Sequence, residues 1–411
     1  MKKVGRKVVS VLLTLCMLLT MLPVSALAAD EGTVDTAPAE TNLAEPVNTG
    51  NSSSDEGETP VSTLVAGTED SVDYVDEDGQ TQTCTEYTTV AAATTTWSNG
   101  WYVVTGTVTL DDRVEVSDSV NLILADGAEL NATKGIGVTA GNSLTIYGQS
   151  EGTGKLTAGA YQVYNSAAIG GTDDKDQNRN LCAHGDITIN GGDITATGAS
   201  AGIGGGGSAT GTSGTITING GTVKATGGSD AAGIGGGYAN TTNGGAIIIN
   251  GGTVTATGGS KAAGIGAGYS GAGGMEITIK GGTVKATGGS NDTYGGAGIG
   301  ANYGGSTNPV IITITGSADV TATGGLGAAG IGGGSGKAEA AVDTIVIDGS
   351  AKVYATGGDS DTYGGAGIGA GGNGACGSIT IGGRAHVTAP GGGGRSFRGA
   401  GRGGGGGGGG G

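Results

Sequence analysis

The chain has 411 residues, a formal charge of −17, 96 glycines, one Phe and two Trp. So few aromatic residues exclude a large globular core, and glycines without a Gly-X-Y period exclude collagen. The acidity, with no basic face to replace counterions, excludes nucleic acid as a partner.

Residues 1–28 read as a signal peptide. Lys2, Lys3, Arg6 and Lys7 precede an apolar run from Val8 to Leu22, and Ala26-Leu-Ala28 supplies the small residues of a cleavage site. The run is shorter than the ~20 residues of a spanning helix. Export through the general secretory pathway is therefore expected, to the extracellular space or the cell wall surface, with no transmembrane anchor in the mature chain. Cys16 leaves with this segment. Cys84, Cys182 and Cys376 remain, too few and too scattered for a disulfide framework or a metal site.

Residues 29–96 are rich in Thr, Ser, Glu, Asp and Pro. Fifteen acids and no Lys or Arg lie between Asp30 and Glu86. Such a segment buries too little apolar surface to offset chain entropy, and is expected to be a disordered spacer.

Residues 97–185 carry less regular alternating runs, among them Thr107-Val-Thr-Leu110 and Leu144-Thr-Ile-Tyr147, and are expected to form two or three irregular coils. Gly135-Ile-Gly137 and Ala168-Ile-Gly-Gly171 look like divergent forms of a motif that becomes regular later. Trp97 and Trp101 are expected at the N-terminal end, covering the open edge.

From residue 186 to 390 the chain repeats. Ile-x-Ile pairs occur at Ile187/Ile189, Ile216/Ile218, Ile247/Ile249, Ile277/Ile279, Ile312/Ile314, Ile345/Ile347 and Ile379/Ile381, spaced by 29, 31, 30, 35, 33 and 34 residues. A repeat of this length reads as a stacked architecture. Each unit has three parts, as in Ile216-Thr-Ile-Asn-Gly-Gly221, Thr222-Val-Lys-Ala-Thr-Gly-Gly228 and Ala232-Gly-Ile-Gly-Gly-Gly237. The first two alternate with period 2, as half-buried strands do. Gly-Gly supplies the positive φ of sharp corners. In the third part, Ile203, Ile234, Ile265, Ile299, Ile331 and Ile368 are the lone bulky residues, expected to fill the coil centre. Three strands per ~30 residues, wound as one coil and stacked at ~4.7–4.9 Å, place like residue on like. The expected fold is all-β, a right-handed parallel β-helix.

Few residues are placed to carry chemistry. Acids at one corner, Asp230, Asp292, Asp359 and Asp361, fall in alternate repeats, ~9–10 Å apart on the strand spacing. Calcium ligands at 2.3–2.6 Å cannot share an ion across that gap. His184 and His386 lie too many coils apart to pair, and His184 beside Cys182 does not make a metal site. No catalytic residue, metal or cofactor is expected. Two outer rows stand out. Thr197, Thr226, Thr257, Thr287, Thr323 and Thr356 form a Thr ladder, but its neighbouring row contains Lys224, Lys285 and Tyr354, which spoils a flat Thr array for ice. Tyr238, Tyr269 and Tyr303 each follow the third-part Ile by four residues in consecutive repeats, so they are expected to stack as a row. Aromatic rows offer sugar rings an apolar body and a polar tip.

Trp101-Tyr-Val-Val-Thr-Gly-Thr-Val-Thr, Val120-Asn-Leu-Ile-Leu-Ala-Asp-Gly, Gly141-Asn-Ser-Leu-Thr-Ile-Tyr-Gly-Gln149 and the Gly-Ile-Gly-Gly-Gly units resemble the repeat region of surface proteins of Gram-positive gut bacteria, from about Trp97 to Ala389. The resemblance implies a pectin-lyase-like β-helix with carbohydrate-binding or adhesin-like roles, and brings no catalytic residues. The expected function is non-catalytic binding of a polysaccharide or a host or bacterial surface glycan through Tyr238, Tyr269 and Tyr303. A passive stalk of a larger surface protein is the second reading and a polysaccharide lyase the third. Residues 391–411, a Gly/Arg tail, are expected to be disordered, and read as a truncated or frame-shifted end.

Overall fold

The computed structural model describes residues 71–160, 165–172, 183–208, 211–239, 244–270, 274–303, 310–336 and 340–394. All belong to one compact unit, Leu64–Gly411. The expected signal segment, the spacer through residue 70, Cys182 and the tail from residue 395 lie outside the described residues.

The repeat forms three parallel sheets of 11, 10 and 10 strands, in which each strand pairs with its equivalents one coil away. This is a parallel β-helix. The Ile-x-Ile strands form the first sheet, with Ile187, Ile216, Ile247, Ile277, Ile312, Ile345 and Ile379 in one continuous register. The Thr-Val-x-Ala-Thr strands form the second sheet, where Val223 and Ala225 are buried between more accessible Thr222, Lys224 and Thr226. The third sheet is a ladder of two-residue Ile-Gly strands running from Ile203 through Ile234, Ile265, Ile299 and Ile331 to Ile368. The paired isoleucines from Ile187 to Ile347 are fully buried in one continuous core. Each contributes roughly 1.5–3 kcal/mol on burial.

The glycines explain how the coil closes so tightly. Gly221, Gly252 and Gly282 turn the corner after the first strand at φ near +80°, a conformation that side chains disfavour. In the third sheet, a Cβ on Gly235 would collide with the carbonyl oxygen of Gly266 in the next coil, and one on Gly266 with that of Gly300. At the second corner the expectation is corrected. Positive φ falls not on Gly227-Gly228 but on Asp230 and Lys261, and in a later coil on Gly327. Gly227 and Gly228 serve there because a Cβ would strike neighbouring carbonyls.

The same three sheets continue backwards through the less regular coils. Ile169 and Ile136 extend the third-sheet ladder to Val114, and Leu144/Ile146 and Val120/Leu122 extend the first sheet. Arg113, half-buried on the face of Glu115 (3.7 Å), staples these coils. Its guanidinium donates to the carbonyls of Lys134 (2.9 Å), Ala167 (3.0 Å), Gly170 (3.3 Å) and Gly171 (3.4 Å). Burial lowers its pKa to about 10.

Two boundaries differ from expectation. Residues 71–96, expected to be part of the spacer, carry defined strands ahead of Trp97. Val72–Val75 and Thr81–Cys84 pair as an antiparallel hairpin, and Thr88–Thr89 starts the first sheet. The hairpin succeeds in an acidic stretch because it packs on the outer face of the first sheet. There Val103 and Ile123 are fully buried with Cys84, and Tyr74 and Trp101 pack alongside. The two tryptophans accordingly separate. Trp97 closes the interior of the first coil, stacked on Tyr102 at 5.4 Å. Trp101 projects from the opposite face, toward the hairpin. At the far end, Gly391–Gly394 continue the last coil, with Gly393 N donating to the Asp359 carboxylate (2.7 Å) and Ser360 N to the Gly393 carbonyl (3.0 Å). The expected disordered tail thus does not start at residue 391.

Candidate functional site

The three tyrosines do form a row. Each sits at the end of a Gly-Ile-Gly-Gly/Ala-Gly or Gly-Ile-Gly-Ala-Asn segment, at the turn that leaves the third sheet. The turns are tied to the second corner. Tyr269 N donates to the Asp230 carbonyl (2.7 Å) and Tyr303 N to the Lys261 carbonyl (3.0 Å), and Ala239 N donates to the Tyr269 carbonyl (2.9 Å). Coil stacking therefore fixes the ring spacing. Tyr238 and Tyr269 lie 6.0 Å apart between centroids and 24° between planes, and Tyr269 and Tyr303 lie 5.9 Å and 11° apart.

The rings face one another along the solenoid rather than lying side by side as a flat pavement. The reason is geometric: identical positions one coil apart put side chains directly over each other. Tyr238 is 39% exposed, while Tyr269 and Tyr303 are half-buried. The row presents its outer edge and the flank of Tyr238.

Charge lies beside the row. Lys261 Nζ sits 4.4 Å from the centre of the Tyr269 ring and 3.7 Å from a carboxylate oxygen of Asp230. A cation over a tyrosine face is attracted by the ring's quadrupole. Asp230, one of the four corner acids, thus serves an ion pair. Among the described residues no group of three His, Cys, Asp or Glu side chains is placed to hold a metal ion. His184 is buried, with Nδ1 2.8 Å from the Gly185 carbonyl, and burial lowers its pKa. His386 is exposed on the last second-sheet strand.

Tyr294 was missing from the sequence-based site. Its ring packs on Tyr303 at 3.8 Å and 20°. Hydrogen bonding to Tyr294 is the main cause that pushes the Tyr303 hydroxyl up to about 12, with burial adding to it. The signal was the 35-residue spacing between Ile277 and Ile312, the longest in the series, which makes room for the inserted Ser290-Asn-Asp-Thr-Tyr294. Asn291 shapes that insertion, its side-chain oxygen accepting from Thr293 N (2.9 Å) and Tyr294 N (2.8 Å). The Thr ladder is in register from Thr197 to Thr356, with Lys224, Lys285 and Tyr354 in the adjoining row.

The comparison with known families agrees with this division into coils. Five segments, 187–207, 216–238, 247–269, 277–303 and 312–335, match the β-helix repeat family model. The chain carries β-helix repeats. The matched segments begin at the first Ile of each Ile-x-Ile pair, and the second, third and fourth end on Tyr238, Tyr269 and Tyr303. The tyrosines thus occupy one equivalent position in consecutive β-helix repeats. No curated protein and no solved structure matches the chain. No helix among the described residues is long and apolar enough to cross a membrane.

Proposed function

We propose that this β-helix is a non-catalytic, exported or cell-surface protein that binds polysaccharide along the Tyr238–Tyr269–Tyr303 row. The in-register spacing of the three rings, 6.0 and 5.9 Å, supports this reading most. A regularly spaced edge of apolar bodies and hydroxyl tips suits a repetitive polymer lying along the solenoid axis. Asp230 and Lys261 add a carboxylate acceptor and an ammonium donor beside it. β-Helix repeats serve enzymes and non-enzymes alike, so the assignment rests on the row and not on the architecture.

A glycan array followed by affinity electrophoresis tests the proposal. The wild-type protein is expected to be retarded by one class of polysaccharide, and Tyr269→Ala to lose that retardation while keeping its β-sheet spectrum. Equal behaviour of the two proteins would remove the row from the function. One observation favours the stalk reading instead: the rings spend part of their faces on one another. No retardation by any glycan would support that reading. Release of unsaturated, ultraviolet-absorbing uronate products would establish a lyase.

A further inference from the structure

Away from the tyrosine row, the N-terminal hairpin and the first sheet border an open cleft of about 350 Å³, lined by Tyr74, Thr83, Cys84, Thr85, Glu86, Gly100 and Trp101. Two of its lining residues, Tyr74 and Trp101, are aromatic, and both pack on Tyr147 behind them. Tyr74 lies 4.8 Å from Trp101 and 4.7 Å from Tyr147, and Trp101 lies 5.2 Å from Tyr147. The hairpin is held in place at its side as well as its base, because Gln149 Nε2 donates to the Asp73 carbonyl (2.7 Å) across 76 residues.

Acidic side chains stand at and beside the cleft. Glu86 is exposed at the rim, and Asp73 accepts from the hydroxyl of the lining Thr83 (2.7 Å). Burial is the main cause that raises the Tyr74 and Tyr147 pKa values, and Asp76 adds to both, as Glu77 does to Tyr147. From Ser71 to Asp112 the chain contains no Lys or Arg. Two aromatic rings and an acid, with no Lys or Arg in the lining, disfavour an anion. They attract a cation twice, through the ring quadrupoles and through Coulomb's law.

We infer that the cleft bounded by Tyr74, Trp101 and Glu86 is a binding site for a small organic cation carrying an ammonium group. A compact hydrated metal ion fits less well, because no group of three suitable ligands converges among the described residues. The site is separate from the tyrosine row and stands if glycan binding by that row fails.

The structure supplies its own probe. The chain has two tryptophans. Trp97 is fully buried and Trp101 lines the cleft, so a change of tryptophan fluorescence on titration reports Trp101. The full chain is titrated with choline and, in parallel, with its neutral isostere 3,3-dimethylbutan-1-ol. Choline is expected to give a saturable change and the neutral isostere none. Glu86→Gln, at an exposed position, is expected to weaken choline binding. Tyr74→Leu keeps the hairpin's apolar contact but removes one ring, and is expected to weaken it by about 2- to 30-fold. Absence of saturation with choline, equal saturation by the neutral isostere, or indifference to both substitutions would overturn the inference. Circular dichroism of each variant confirms that the coils are intact.

Discussion

Tyr269 stacks on Tyr303 at 5.9 Å with ring planes 11° apart, although 34 residues separate them in the chain. Coil register alone brings them together, and Tyr294 then closes on the far ring of the row. The Tyr303 hydroxyl is held protonated up to about 12 chiefly by its hydrogen bond to Tyr294. Tyr294→Phe is expected to return Tyr303 toward the ordinary tyrosine value near 10. Absorbance of tyrosinate against pH, in wild type and variant, checks this. Superimposable titrations would contradict it.

The isoleucine ladder makes a graded stability prediction. Ile247 is fully buried between equivalent isoleucines, whereas Ile381, on the last first-sheet strand, is 44% exposed. Ile247→Ala is expected to destabilise the fold by about 2–5 kcal/mol. Ile381→Ala is expected to cost less than about 1 kcal/mol. Denaturant unfolding of the two variants gives the comparison, and equal costs would be inconsistent with a stacked interior.

The third-sheet glycines from Gly170 to Gly332 leave no room for a side chain. Gly266 has φ of +135°, and a Cβ there would collide with the Gly300 carbonyl. Gly266→Ala is expected to destabilise by about 3 kcal/mol or more, through strain and steric displacement together. Gly106, where an added Cβ meets nothing within 4 Å, is the control and is expected to tolerate Ala. Thermal unfolding of both variants distinguishes them.

His184 gives a pH dependence with a definite sign. Burial lowers its folded-state pKa, and Nε2 has no hydrogen-bond partner among the described residues. The unfolded chain takes up a proton near pH 6.5 while the folded chain stays neutral. Stability from this residue is therefore complete above about pH 6.5 and declines as pH falls toward the lowered folded value. Denaturant unfolding at pH 7.5 and 5.5 is expected to show a larger loss for wild type than for His184→Gln. The difference is bounded by about 1.4 kcal/mol per pH unit.

The repeat was legible because each strand's register partner is a copy of itself: Ile216 predicts the environment of Ile247, and Ala225 that of Ala256. The tyrosine row was legible for the same reason. What escaped was non-repetitive. The hairpin's buried side belongs to residues such as Tyr74 and Cys84, scattered among acids, and its partners Trp101, Ile123 and Tyr147 are distant in sequence. A signal did exist in the first coils, where Trp101 occupies an outward position that later coils give mostly to Thr, and Val103 and Ile123 one that later coils give to Asn190, Asn219, Asn250 and Lys280. Arg113 escaped because no pattern marks a cation whose hydrogen-bond acceptors are backbone carbonyls of later coils. Tyr294 lay in an insertion that the periodicity treats as a gap.

Stacking of equivalent strands underlies every claim made for the surface rows, and one distance tests it. Spin labels at Thr197 and Thr356, in a variant otherwise free of cysteine, mark outward positions of the second sheet linked by five consecutive register pairs. At the strand spacing these positions lie about 24 Å apart along the axis. Double electron–electron resonance is expected to give a narrow distribution centred near that separation, widened by the label arms. A distribution spread broadly beyond about 40 Å would contradict the stacked β-helix.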